Sequence, residues 1–297
     1  MQLRLQGVRI AVLGGDERQS LLCSQLAAMG AAVRVIGLRN VENHPLIATY
    51  SVLEEAVQGV QIILLPMPGV NDEGRIFAPQ INVPLHFTSE LAGKLSKNTC
   101  ILVGVAKPYL RRVLQQERLK FVELGELDRL AILNSIPSAE GAIQMAMQAV
   151  PITIHNSYSL VLGFGRTAVT LARMLKGIGA RVAVAARKEA ALARVEEQGY
   201  EPLPLSCLAD YIGKADLIFN TIPAPILDKQ ILTRVSKEAY ILDLASTPGG
   251  TDFVAAAQLG IKAELAPGLP GKVAPKTAAK ILIQVIPDII CELLALE

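Results

Sequence analysis

The chain has 297 residues, 51% hydrophobic and 19% charged, and its 29 Lys and Arg against 27 Asp and Glu leave a formal net charge of +2. This is the composition of a globular protein long enough for two domains, and it excludes a disordered chain. The near-neutral balance, with no Lys/Arg run of five or more, argues against nucleic acid as a partner.

In chain order, Val8-Arg-Ile-Ala-Val-Leu13 predicts a strand and is too short for a signal-peptide core, so no targeting segment is expected. A helix follows near 18–29. Further strands are predicted at Val60–Leu65, Cys100–Gly104 and Lys120–Glu123, with helices near 88–95 and 108–117 and a loop-rich stretch from Pro66 to Pro84. Pro137 and Ser138 suit the first positions of a helix running to about Val150. Strands at Ser159–Leu162, Arg181–Ala186, Asp216–Asn220, Tyr240–Leu244 and Ile261–Leu265 alternate with helices, the pattern of a parallel sheet. The apolar run from Thr277 to Leu296 is interrupted by Lys280, Pro287, Asp288 and Glu292; it predicts a buried helix, kinked or broken near Pro287, and no membrane span.

The chain nearly repeats itself at an offset of 149. Val12-Leu13-Gly14 matches Val161-Leu162-Gly163, and Leu22, Leu26, Gly30, Ala31, Val33 and Val35 match Leu171, Leu175, Gly179, Ala180, Val182 and Val184. The expected fold class is therefore α/β: two doubly wound Rossmann-like domains with parallel sheets and a cleft between them. The expected division is an N-terminal substrate domain (1–134), an interdomain helix (135–152), a nucleotide-binding domain (153–272) and a C-terminal helix (273–297) leading back to the first domain.

The second copy carries a dinucleotide fingerprint. Gly163 allows the tight turn, Gly165 lets the backbone approach a pyrophosphate, and Ala168 permits close packing of helix on strand. Arg166 and Thr167 open the helix whose N-terminus faces the phosphates. The next strand ends in Arg187-Lys188 where NAD binders usually place a carboxylate, which favours NADP(H) over NAD(H). Other strand ends complete the expected cofactor set: Thr221, Ile222 and Pro223; Leu244, Ala245 and Ser246; and Pro267, Gly268 and Leu269. All are small, or rich in Pro and Gly, or bear a hydroxyl, so a nicotinamide ribose can lie against them.

In the first copy Asp16 stands where Gly165 stands in the second, and a carboxylate there repels a pyrophosphate. That copy is the better candidate for holding substrate. The expected carboxylate grip comprises the amides of Gly14 and Gly15 with Asp16, Arg18 and Gln19, joined by Ser138 and Glu140 at a helix start and by Lys276 beside the glycine-rich loop. No acid or base declares itself. Asp16, Glu140 and Lys276 are weak catalytic candidates, with Lys107 and Asp128 further ones, and His44, His86 and His155 lie in no catalytic setting. The four cysteines have no metal-ligand spacing, so no metal and a reduced cytoplasmic protein are expected.

Gly14–Gln19, Asn134–Gly141, Leu162–Thr167, Asn220–Pro223, Asp243–Ser246, Pro248–Phe253 and Ala266–Thr277, in that order, resemble the dipicolinate synthase A-subunit family over nearly the whole chain. The resemblance implies a dehydrogenase of endospore-forming bacteria that uses NADP(H). It implies oxidation of a dihydrodipicolinate-type heterocycle with two carboxylates to pyridine-2,6-dicarboxylate, with a flavoprotein-like B subunit, in the mother-cell cytoplasm; a homo-oligomer is also expected. The competing readings are another two-domain enzyme, of the 2-hydroxyacid or alanine dehydrogenase type, and a non-catalytic NADP sensor. The first is disfavoured by the lack of a histidine in a recognisable catalytic loop.

Overall fold

The protein is described by a computed structural model covering residues 4–296. It divides into two compact units, one comprising the chain up to Leu133 and again from Ala274, the other Asn134–Val273. The first holds strands β1 (Arg9–Leu13), β2 (Ala32–Ile36), β3 (Ile47–Thr49), β4 (Ile62–Leu64), β5 (Cys100–Val103) and β6 (Lys120–Glu123), with helices α1 (Glu17–Ala28), α2 (Leu53–Val57), α3 (Ser89–Gly93) and α4 (Pro108–Gln116). Helix α5 (Asp128–Ala149) contributes Asp128–Leu133 to this unit and the rest to the second. The second unit holds β7 (Tyr158–Leu162), α6 (Arg166–Ile178), β8 (Arg181–Ala186), α7 (Glu189–Glu197), β9 (Glu201–Pro204), α8 (Leu208–Tyr211), β10 (Leu217–Asn220), α9 (Lys229–Leu232), β11 (Tyr240–Asp243), α10 (Phe253–Gln258), β12 (Lys262–Leu265) and α11 (Leu269–Val273). Helix α12 (Pro275–Leu294) belongs to the first unit.

Both sheets are six-stranded and parallel, and both reverse their order beside the first strand: β3-β2-β1-β4-β5-β6 and β9-β8-β7-β10-β11-β12. This is the Rossmann-like α/β class that the repeat predicts. The strands alternate between two cores with a period of two. In β1, Ile10 and Val12 enter the core formed with α1 and α12, while Ala11 and Leu13 enter the one formed with α4. In β10, Leu217 and Phe219 face α6, and Ile218 faces the opposite layer. Sheets buried on both faces need continuous apolar strands, which is why β4 and β5 read Ile-Ile-Leu and Cys-Ile-Leu-Val.

Helix α12 buries Ala278, Ile281, Leu282, Val285, Ile286 and Ile290, one stripe at helical spacing, and packs on α1. Each such aliphatic side chain contributes about 1.5–3 kcal/mol on burial. Its apolarity thus serves a core, and no helix among the described residues is long and apolar enough to cross a membrane. Of the expected kink or break near Pro287, no break occurs: the helix continues through that residue; Pro287 is itself buried, and packing holds the turn together despite the missing amide.

A second correction concerns α5. The local pattern puts Pro137 at a helix start, but it lies inside a continuous 22-residue helix. Proline cannot donate to the carbonyl four residues back. The helix persists because Ala139, Ala142, Ile143 and Ala146 are buried in the second unit's core, and because Ser138 Oγ donates to the Asn134 carbonyl, 2.8 Å away. The two strands that the sequence pattern does not announce, β3 and β9, are edge strands. β9 carries Pro202 and Pro204, residues tolerated only at a sheet margin.

On the first unit's surface, Asp288 receives hydrogen bonds from Arg4 (2.9 Å) and Arg129 (2.8 Å). The Arg129 bond, then the Arg4 bond, hold its carboxyl below the ordinary carboxylate range. A depressed value adds stability above the unfolded carboxylate pKa of about 4, and that stability is lost as pH falls through the lower folded value. Asp288→Asn should therefore cost at most about 1 kcal/mol near neutral pH, a cost that shrinks as acid protonates the carboxylate, as read from urea melts at neutral and acid pH.

Candidate functional site

The strand order reverses between β7 and β10 in the second unit, and in such sheets ligands meet the loops at the carboxyl ends there. Gly163 follows β7 with φ +95°, in the left-handed region, and a Cβ on it would lie 2.6 Å from Thr221 Oγ1. Turn geometry and the close approach of the β10 loop therefore both require glycine. Thr221 is held there by its own hydroxyl, which donates to the Leu162 carbonyl at 2.8 Å, and by its amide, which donates to the same oxygen at 3.0 Å.

Gly165 is different. Its φ of −92° suits any residue, and a Cβ there would meet no protein atom within 4 Å. Nothing in the protein itself requires glycine. Gly165 is the N-cap of α6; it offers no side-chain cap, and the first turn holds no acidic residue. Helix geometry leaves the Thr167 and Ala168 amides without intrahelical acceptors, at the positive end of the helix dipole. Such a terminus, open in front of a bare Cα, fits a pyrophosphate. Ala168 is fully buried between α6 and the sheet. At the end of β8, Arg187 and Lys188 are exposed, and their side chains have no hydrogen bond or ion pair among the described residues. The residues present thus fit a nicotinamide dinucleotide.

The equivalent corner of the first unit is occupied by the protein's own groups. Asp16 is the N-cap of α1: its Oδ1 accepts the Arg18 amide at 3.0 Å, and its own amide donates to Gln19 Oε1 at 3.0 Å. Arg18 is buried and grips the same carboxylate with Nε (2.9 Å) and a terminal nitrogen (2.7 Å). Burial raises the Asp16 pKa, the Arg18 hydrogen bond and charge lower it, and the net is below the ordinary value. The Gly14 and Gly15 amides donate to the carbonyls of Ile36 and Phe77, both at 2.8 Å. The two amides and the arginine of the expected carboxylate grip are thus engaged within the chain, Asp16 is a helix cap paired with Arg18, and Gln19 closes the capping box.

Ser138 and Glu140 lie in the middle of α5, not at its start; the Ser138 hydroxyl is bonded and Glu140 is exposed. Lys276 is exposed in the first turn of α12. Of the other expected cofactor contacts, Ile222 and Leu244 are half-buried, Pro223, Ser246, Pro267 and Gly268 are exposed, and Ala245 is buried. The Leu269 side chain is a further correction: it lies in the core with α5, because α11 turns its first residue inward.

Sequence reasoning missed what holds these loops. Asp243, at the end of β11, is fully buried and accepts four hydrogen bonds: Asn220 Nδ2 (3.0 Å), the Ala245 amide (3.0 Å), the Gly250 amide (2.8 Å) and Thr251 Oγ1 (2.7 Å). Asn220 Oδ1 in turn accepts the Ile222 amide at 3.0 Å. One buried carboxylate thereby shapes both the β10 loop and the β11 loop, the latter containing a cis Thr247–Pro248 bond. Gly250 is required here as well, since a Cβ would collide with the Ala224 carbonyl oxygen. The recoverable signal is a polar Asn or Asp ending each of two otherwise apolar strands, Leu-Ile-Phe-Asn and Tyr-Ile-Leu-Asp.

Comparison with known proteins places this geometry. The chain is 39% identical over 294 residues to the A subunit of dipicolinate synthase from Bacillus subtilis (strain 168), spanning 99% of both. It belongs to the dipicolinate synthase A-subunit family. Residues 9–125 match the N-terminal domain of that family, and residues 144–249 match the shikimate/quinate 5-dehydrogenase domain. The crystal structure of the Bacillus halodurans member superposes with a TM-score of 0.91 at 36% identity, covering 96% of this chain and 98% of that one. The crystal structure of the Bacillus subtilis member gives 0.91 at 38% identity, with 98% of each covered. A transhydrogenase from Sinorhizobium meliloti, at 13% identity and TM-score 0.66 over 96% and 95% of the two chains, shares the dehydrogenase-type fold. The family therefore joins a dehydrogenase-type fold to one subunit of a synthase.

The two glycines should separate in experiment. Gly163→Ala is expected to lose about 1–2 kcal/mol or more, from left-handed strain and the Thr221 clash. Gly165→Ala should stay within about 1 kcal/mol of wild type yet bind a reduced nicotinamide dinucleotide about tenfold more weakly or worse, by fluorescence titration alongside thermal melts. Asp243→Ala strands several buried donors at about 1–3 kcal/mol each, so a loss of at least about 3 kcal/mol is expected in urea denaturation.

Proposed function

We propose that the chain is the dehydrogenase subunit of a dipicolinate synthase, with NADP(H) preferred over NAD(H). Its substrate is a dihydrodipicolinate-type ring and its product is pyridine-2,6-dicarboxylate. The balance is one hydride to the nicotinamide, one proton to solvent or a base, and an aromatic ring left behind. Hydride acceptance is the chemistry a nicotinamide supplies when bound, and aromatisation makes the step downhill. The protein's task is then chiefly to hold the two rings in register.

The observation that carries the reading is the α6 terminus, uncapped, free of acid and opening past Gly165 into unfilled space. It sits in a chain that resembles a dipicolinate synthase subunit from end to end. Gly163, Gly165, Thr167 and Ala168 would hold the pyrophosphate, with Arg166 beside it. Arg187 and Lys188 would take the 2′-phosphate, and the loops braced by Asp243 would carry the nicotinamide side. Partnership with a B subunit, a homo-oligomeric state and the mother-cell cytoplasm of a sporulating bacterium complete the proposal; the family likeness supports the first and last of these.

The test combines the purified chain, with and without its B partner, with NADP⁺ and enzymatically generated hydroxytetrahydrodipicolinate, which loses water to give the dihydro ring. Appearance of the ultraviolet absorbance of the aromatic diacid, dependent on NADP⁺, is expected; its absence under both conditions would overturn the assignment. Arg187→Ala should raise the KM for NADP⁺ roughly tenfold and leave that for NAD⁺ nearly unchanged. An unaltered preference would remove the 2′-phosphate role.

A further inference from the structure

The first unit contains a cavity of about 420 Å³ formed by the segment from Pro68 to Ile81 together with Lys107. It lies beyond the carboxyl ends of β4 and β5, the strands that those segments follow. Its size suits a small ligand. The walls are chemically divided. Phe77, Ile81, Val70 and two prolines supply apolar surface, while Arg75, Lys107 and Asn71 supply donors.

The two cations lack internal partners. No hydrogen bond or ion pair of the Arg75 or Lys107 side chain occurs among the described residues, and Lys107 is half-buried. Arg18, by contrast, is already neutralised by Asp16. Asn71 Oδ1 accepts the Glu73 and Arg75 amides at 3.0 and 2.8 Å, which fixes the turn and leaves its amide nitrogen to donate.

The wall is rigidly placed by the β1 turn. The Gly15 amide donates to the Phe77 carbonyl. A Cβ on Gly14 would lie 2.8 Å from that same oxygen and 2.9 Å from Ile76 Cγ2. On the opposite side, a Cβ on Gly69 would collide with the Val105 carbonyl, so the loop is pressed against the segment that carries Lys107. Gly14 and Gly69 are positioning residues: each lets backbone approach where a methyl would push the wall away.

We propose that this cavity holds the planar, doubly acidic ring, with Arg75 and Lys107 on its carboxylates and Phe77 and Ile81 against its faces. The assignment rests on the proposed function for the identity of the ring, and on the cavity alone for its class: a flat aromatic or heteroaromatic dianion. A guanidinium and an ammonium match two carboxylates in charge, and the partly exposed Phe77 and Ile81 offer apolar surface to the ring between them.

The test is calorimetric titration of the full-length chain with pyridine-2,6-dicarboxylate as probe, alongside pyridine-2-carboxylate and NADPH. Wild type should bind the diacid about tenfold or more tightly than the monoacid. Lys107→Ala and Arg75→Ala should each weaken the diacid about tenfold, and the double variant should abolish measurable binding, with NADPH affinity held within about twofold. Lys107→Arg should restore part of the loss, which a merely folding defect would not permit. Unchanged diacid binding in both single variants, or none by wild type, would overturn the cavity assignment. Product formation by wild type judges the proposed function separately. Product without any effect of the cavity variants sinks the cavity alone, whereas diacid binding that depends on both cations without product sinks the function alone.

Discussion

At the end of the first strand of each sheet the chain must leave β geometry and enter a helix within a few residues, beside the strand where the order reverses. Only a left-handed residue makes that turn here, and Gly14 (φ +67°) and Gly163 (φ +95°) supply it. Two residues later the N-cap decides what the corner can do. Asp16 fills the first helix terminus with its own carboxylate and then neutralises itself with Arg18. Gly165 leaves the second terminus bare. One backbone solution, present twice, thus gives a closed corner and an open one, and the difference is a single side chain at a helix end.

The second corner is useful only if the neighbouring loops stay where they are. Asp243 does this from inside. A buried carboxylate is costly unless hydrogen bonds replace its lost water, and four donors drawn from β10, the β11 loop and the segment after it do so. The loops are consequently fixed to a strand end, and the exposed Pro223 and Ser246 ride on a rigid base. In the first unit the cavity wall is set by contact instead: the backbone carbonyls of Phe77 and Val105 lie where any side chain on Gly14 or Gly69 would collide with them.

Much of this is visible in the residues. The offset of 149 announces two equivalent units because strand, turn glycine, helix face and the Gly-Ala before the next strand recur together, and Gly30 and Gly179 do share the same left-handed conformation. Apolar runs reveal the central strands, since burial on both faces leaves no other option. What stays hidden depends on partners distant in sequence or on geometry that sequence does not carry. Pro137 reads as a helix start because its local rule is strong, and the burial of Ala139, Ala142 and Ile143, with the Ser138 hydroxyl bond, overrides it. Arg18 reads as a free cation until Asp16, two residues away, is seen to hold it in a fork. Lys107 is one weak candidate among several in the sequence; its place becomes meaningful only with the loop from Pro68 to Ile81 wrapped beside it. β9 is invisible because Pro202 and Pro204 contradict strand propensity everywhere except at a border.

That border has a colloidal consequence. β9 matches β8 over four residues, Glu201 to Pro204. Alternate nitrogens along a strand point the same way, so the two proline nitrogens share one direction; the ladder with β8 needs donors, which turns them outward. The rim of the second sheet therefore presents ring carbons where a foreign strand would seek amides. At this one edge, a sheet rich in Val, Ile and Leu is ended by chemistry that resists recruitment of a further strand.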